Sequence, residues 1–181
     1  MSKTDPTKAG AGHGKAKAEV SPTPVAAGPK VEIDLEPADH RAENRILIVV
    51  GAHLRAEAAD RPLAYRLRRM MIDWYDRRGA ALGLERPSII VCSDIWYLNN
   101  DDLRSLPTIS IGGPGVNALA AFLGDKLPGV FTVENVLTVQ MDLDFIEVIA
   151  SIWGMDHATT ISAVDAFVER YLEEFMKQAC G

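Results

Sequence analysis

The chain of 181 residues contains two cysteines, Cys92 and Cys180. Cys92 falls in a strand-like run and Cys180 on the tail, which excludes a disulfide framework and fits a reducing compartment. No run of apolar residues approaches the ~18 needed to span a bilayer. The opening stretch MSKTDPTKAGAGHGKAKAEV has no apolar stretch of the kind a secretion signal carries. The expected setting is therefore the cytoplasm. Metal-binding spacings are missing as well: there is no HExxH, no CxxC and no local pair of histidines, so no metal is expected. Neither Ser93 nor Ser110 sits in a G-x-S-x-G elbow, and a Cys92 that points into the core offers no nucleophile.

Outside the first thirty residues acidic side chains outnumber basic ones. Lys3, Lys8, Lys15, Lys17 and Lys30 outnumber Asp5 and Glu19 there, yet the whole chain carries a formal charge of −6. The body is thus clearly acidic, which excludes nucleic acid or anionic membrane as a partner for its surface at large; either would need a local basic patch. Residues 1–30 are rich in Ala, Gly, Lys and Pro and have almost no large apolar side chain, so they are expected to be a disordered tail. Residues 31–44 form a lead-in, with Val31, Ile33 and Leu35 alternating briefly as an edge strand would.

From residue 45 to residue 179 the pattern is that of a single α/β domain. RILIVVGA (45–52) is a continuous apolar run, as expected of a strand covered on both faces. Asp60 with Pro62 predicts a helix start, Leu63, Leu67, Met70, Met71 and Trp74 recur at helical spacing, and Gly79 predicts the stop. SIIVCSDIWY (88–97) and PTISI (107–111) read as further buried strands, and GVNALAAFLGDKL (115–127) as a short helix. VFTV (130–133) and the alternating LTVQMDLDF (137–145) predict a hairpin turning at Glu134-Asn135, its second strand wet on one face. EVIASIWG is a last buried strand, and Asp156 to Met176 a last helix with an apolar stripe. This order predicts a three-layer, Rossmann- or flavodoxin-like domain, with a mainly parallel sheet and one antiparallel hairpin excursion.

In such sheets ligands bind beyond the carboxyl ends of the strands. The first end offers Gly51, His53, Arg55, Glu57, Asp60 and Arg61; the second Ser93, Asp94 and Trp96; the third the loop from Gly112 through Gly113 and Gly115 to Asn117; the fourth Trp153, Gly154, Asp156, His157, Thr159 and Thr160. Gly113-Pro114-Gly115-Val116-Asn117-Ala118 fits the G-x-G-x-x-A dinucleotide fingerprint, with Glu134 placed to meet a ribose. Pro114 has no N–H to give a pyrophosphate, the loop follows the third strand instead of the first, and a hairpin stands where a second nucleotide-binding half belongs. No cofactor is therefore predicted. A helix start whose free N–H groups hold a phosphate or carboxylate remains open, as does a turn without a ligand.

The combination ISIGGPGVN and VIASIWGMDHATTISAVDAF resembles a pattern of archaeal surface-layer proteins and bacterial cell-wall-binding repeats. Gly112, Gly113, Pro114 and Asn117 match the first part; Gly154, Asp156 and Thr160 match the second, with Ala163 loosely placed. The resemblance implies a sheet topology and no activity.

The polar edge fits three functions. It can bind a small anionic ligand, a nucleotide or sugar phosphate, through His53, Arg55, Arg61, Asp94, Gly112, Gly113, Gly115, Asn117, Asp156 and Thr160. Alternatively the chain is an assembly module that self-associates or docks a protein partner; its docking surfaces are then the arginine face of Arg61, Arg68 and Arg69 with Tyr65 and the strand 137–145, and the N-terminal tail is a tether. The edge can also belong to a hydrolase of nucleosides or phosphoesters with Glu57, Asp94 or His157 as acid or base.

Overall fold

The structure, a computed structural model, describes residues 44–181. The tail and all but the last residue of the lead-in lie outside the described residues. Six strands form one sheet: β1 (Arg45–Val50), β2 (Ser88–Ser93), β3 (Thr108–Ile111), β4 (Gly129–Val133), β5 (Leu137–Met141) and β6 (Ile149–Gly154). Their order is β2-β1-β3-β6-β5-β4. The four members β2, β1, β3 and β6 are mutually parallel, and β5 and β4 continue the sheet antiparallel. The fold is therefore α/β, mostly parallel with an antiparallel edge.

The apolar runs become strands because helices cover both faces. Ile46, Ile48 and Val50 of β1 pack with Ile109, Ile111 and Ile152 beneath α1 (Leu54–Trp74), α4 (His157–Arg170) and α5 (Leu172–Cys180). Leu47 and Val49 face the other way, with Cys92, under α2 (Asp94–Leu98) and α3 (Ala118–Leu123). Ile46 to Val50 are all 0% exposed; burying a side chain of this size contributes about 1.5–3 kcal/mol. Among the described residues, no helix is long and apolar enough to cross a membrane.

Several expected boundaries move. Helix α1 starts at Leu54, capped by His53, whose Nδ1 accepts from the Arg55 N–H at 3.2 Å; Asp60 and Pro62 lie inside it. An Asp and a Pro close together imitate a helix start, but Pro62 only deprives the Ala58 carbonyl of its donor. Gly79 does not stop the run: the chain continues as a π-turn over Tyr75–Gly79 and a 3-10 turn over Ala80–Leu82, ending at Gly83. Strand β2 stops at Ser93, whose Oγ accepts from the Trp96 N–H and turns Asp94 to Leu98 into helix. The last helix is two, separated at Tyr171, whose backbone leaves the helical region (φ −125°, ψ −19°) and whose hydroxyl donates to the Val130 carbonyl at 3.0 Å. Cys180 is buried at the end of α5 and is no tail residue. Nor has β5 a wet face. Gln140 is buried, its amide donating to the Gly124 and Leu127 carbonyls at 2.9 and 3.0 Å, while Asp142 and Asp144 stand in the turn beyond the strand.

Candidate functional site

Because β2, β1, β3 and β6 are adjacent and parallel, their carboxyl ends share one edge. Beyond it, the chain crosses from the β1–β2 half to the β3 half, the switch point where open sheets usually leave a crevice. Here the crevice is filled by protein. Strand β1 hands over to Gly51, and a Cβ there would stand 1.8 Å from the Val116 carbonyl oxygen, so the β3–α3 loop lies directly on it.

Asp94 and Asn117 hold that closure. The Asp94 Oδ1 accepts from the Ala52 N–H at 2.8 Å and the Ile95 N–H at 2.7 Å, and its Oδ2 accepts from the Ala118 N–H at 2.7 Å. One buried carboxylate thus ties the ends of β1 and β2 to the start of α3. The Asn117 amide donates to the Ile111 carbonyl, the Ser110 hydroxyl and the Val49 carbonyl, and its Oδ1 accepts from the Leu119 and Ala120 N–H groups. The N–H groups that open α3, the phosphate site expected from the glycine loop, are already satisfied by the chain's own side chains.

Beside this closure a cavity of about 590 Å³ opens between α1 and α4. Arg55, Ala56, Ala59 and Asp60 form the α1 wall. The loop from Gly113 to Val116 forms a second, and Trp153 to His157 with Thr160 the third. The start of α4 is fixed by a capping box: Asp156 accepts from the Thr159 N–H at 2.8 Å, and the Thr159 hydroxyl accepts from the Asp156 N–H at 2.9 Å. The Thr159 N–H, together with the Thr159 hydroxyl at 2.8 Å from Asp156 Oδ1, holds the Asp156 carboxyl below its ordinary value. The Thr160 hydroxyl accepts from the Gly154 N–H and donates to the Asp156 carbonyl, locking the β6–α4 corner.

Asp60 is the unusual member. It is 6% exposed and has no hydrogen-bond or ion-pair partner among the described residues. Burial pushes its carboxyl above the ordinary value, and the charge of His157 pulls it partly back. Gly112 makes room for it. Its φ is +99°, and a Cβ at this position would stand 2.4 Å from Asp60 Oδ2.

Of the residues singled out from sequence, Arg55, Gly113, Gly115, Asp156, His157 and Thr160 meet at this cavity, with Gly112 behind it. Asp94 and Asn117 lie buried as braces. His53 serves as the cap of α1. Glu57 and Arg61 form a two-bond ion pair, one contact at 2.7 Å, which lowers the Glu57 carboxyl and leaves neither on the cavity wall. Both acidic candidates for catalysis, Glu57 and Asp94, are therefore already engaged, and His157 alone of the three faces the cavity. On the arginine face, Arg68 donates to the Ile89 carbonyl at 2.9 Å. Asp60 is legible in two respects: it belongs to the polar segment beyond the first strand, and it falls at helical spacing with Ala56, Leu63 and Leu67, a charge on an apolar stripe. Among the described residues, no cluster of three His, Cys, Asp or Glu side chains could hold a metal ion. No family model and no curated protein matches the chain.

Proposed function

We propose that the cavity between α1 and α4 binds a small organic phosphate, of the nucleotide or sugar-phosphate class, within a Rossmann- or flavodoxin-like domain. The observation that carries this reading is the convergence of three strand-end segments on one cavity of about 590 Å³, within the ~300–1,000 Å³ range of small-ligand pockets. Trp153, Pro114 and Val116 give it apolar walls suited to a ring, and a few polar groups stand among them. The anionic end belongs at Arg55 and His157. Arg55 is exposed and has no ion-pair partner among the described residues, whereas the helix-start N–H groups of α3 are taken. Bound phosphate there is held by charge-assisted hydrogen bonds.

A thermal-shift panel of nucleoside monophosphates and sugar phosphates tests the proposal. A ligand present at ~100 times its Kd stabilises by about 2.7 kcal/mol, so at least one compound should raise the melting point by several degrees. Arg55→Ala and Trp153→Ala should each reduce that rise. A panel without effect, or a rise untouched by both substitutions, would refute the proposal.

A further inference from the structure

We propose that Asp60 selects the ligand by accepting a pair of adjacent N–H donors, the edge that guanine presents through its N1–H and N2 amino group and that a guanidinium group presents in the same form. The inference rests on the cavity being a ligand site and names the chemistry of its inner end. Asp60 is 6% exposed as a residue and lines the cavity, and among the described residues its carboxyl has no hydrogen-bond or ion-pair partner; neither oxygen is sealed off completely, so it is a partnerless polar group reachable from the cavity. The surrounding positions of α1 that face inward are Ala56, Leu63 and Ala64, where an apolar side chain packs without penalty. The chain spends its special backbone on this carboxyl as well: the +99° φ of Gly112 and its missing Cβ leave the space that Oδ2 occupies. The first glycine of the loop thus accommodates a carboxylate of the protein.

What the carboxylate lacks is donors, and it can take two at once in a parallel, bidentate arrangement. Among the common bases only guanine offers two adjacent N–H donors. Adenine and cytosine each offer one donor beside a ring nitrogen whose lone pair would face a carboxylate oxygen, and uracil offers one donor between two carbonyls. Trp153 lines the same cavity and supplies a flat surface for the ring. Arg55 and His157, on the same lining, meet the phosphate of the nucleotide.

Calorimetric titration of the full chain with GMP, IMP, AMP, XMP and methylguanidine tests this. GMP should bind at least tenfold more tightly than IMP, which lacks the second donor, and AMP should be weaker still. Asp60→Asn presents one donor and one acceptor, so it should lose at least tenfold for GMP and gain affinity for XMP, which pairs one donor with one acceptor. The GMP–IMP comparison uses the parent alone and stands even if the variant fails to fold. Binding of methylguanidine lost in Asp60→Asn, with no nucleotide bound, would uphold the donor-pair chemistry with a guanidinium ligand and overturn its guanine form, while the wider phosphate panel decides the organic-phosphate reading. Equal affinity for AMP and GMP, or GMP affinity unchanged in Asp60→Asn, would overturn the inference and leave the organic-phosphate reading standing. No binding by any of the five would overturn the inference, and the wider phosphate panel then decides the other reading separately.

Discussion

Asp94 is the residue whose replacement separates a brace from a catalytic group. Its carboxylate accepts three backbone N–H donors at 2.7–2.8 Å from Ala52, Ile95 and Ala118, and it is 4% exposed. Hydrogen bonds to a charged acceptor contribute about 1.5–3 kcal/mol each. Their sum is not additive, because the loop relaxes once the first is lost, so Asp94→Ala should cost about 4 kcal/mol of the ~5–15 kcal/mol that holds a domain together. Asp94→Asn is the finer test. Its amide oxygen still accepts from Ala52 and Ile95, but its NH2 then meets the Ala118 N–H donor to donor, at a spacing of 2.7 Å in the parent. That exchange should cost about 2–3 kcal/mol, a fall in Tm of roughly 4–12 °C for a chain of this size. Urea unfolding should show a lower midpoint with an unchanged slope, since the folded surface is the same. Were Asp94 a free acid or base, Asp94→Asn would keep the parent's stability. A melting point within about 2 °C of the parent would refute the bracing role.

Three further perturbations have defined outcomes. Gly112→Ala places a Cβ 2.4 Å from Asp60 Oδ2 at a φ of +99° and should cost about 1–3 kcal/mol, measured by thermal melting; adding Asp60→Ala should restore part of it by removing the collision and leaving only the backbone strain. The raised carboxyl of Asp60 means that the folded chain keeps a proton the unfolded chain would release, so its contribution to stability falls as pH rises from the ordinary 3.8 through the folded value. Asp60→Asn should accordingly match the parent at low pH and exceed it by about 1–3 kcal/mol at neutral pH, the cost of an ionised carboxyl without a partner; melts across pH that stay parallel would contradict it. Burial raises the Cys92 and Cys180 thiols to about 11, so both should resist a thiol reagent at pH 8 and react fully in denaturant.

The parallel part of the fold was legible because β1, β2 and β3 are covered on both faces, and only near-continuous apolar runs survive there. Strand order was not, since the neighbours β1 and β3 are joined by no local pattern. Length and polarity misled where the chain satisfies polar groups internally. Alternation over residues 137–145 reads as one dry and one wet face, yet Gln140 turns inward to two loop carbonyls that would otherwise lack donors. Ser93 ends β2 by a single side-chain bond to the Trp96 N–H, which no hydropathy pattern anticipates.

The candidate site shows the same limit more sharply, in two aspartates. Asp94 and Asp60 have the same chemistry and both read from sequence as strand-end acids, of which Asp94 alone enters the expected site. What differs is the supply of donors. At Asp94 the ends of β1 and β2 meet the start of α3, and three unpaired N–H groups converge on one carboxylate until nothing is left for a ligand. At Asp60 the helix has already used its own N–H groups, so the buried carboxyl meets no backbone donor and faces a cavity instead. An acid at a strand end is therefore the expected brace of a parallel sheet, because that is where orphaned donors collect. An acid on the inward stripe of a helix beside the same edge can be satisfied only from outside the backbone, and it is there that a ligand's own donors are needed.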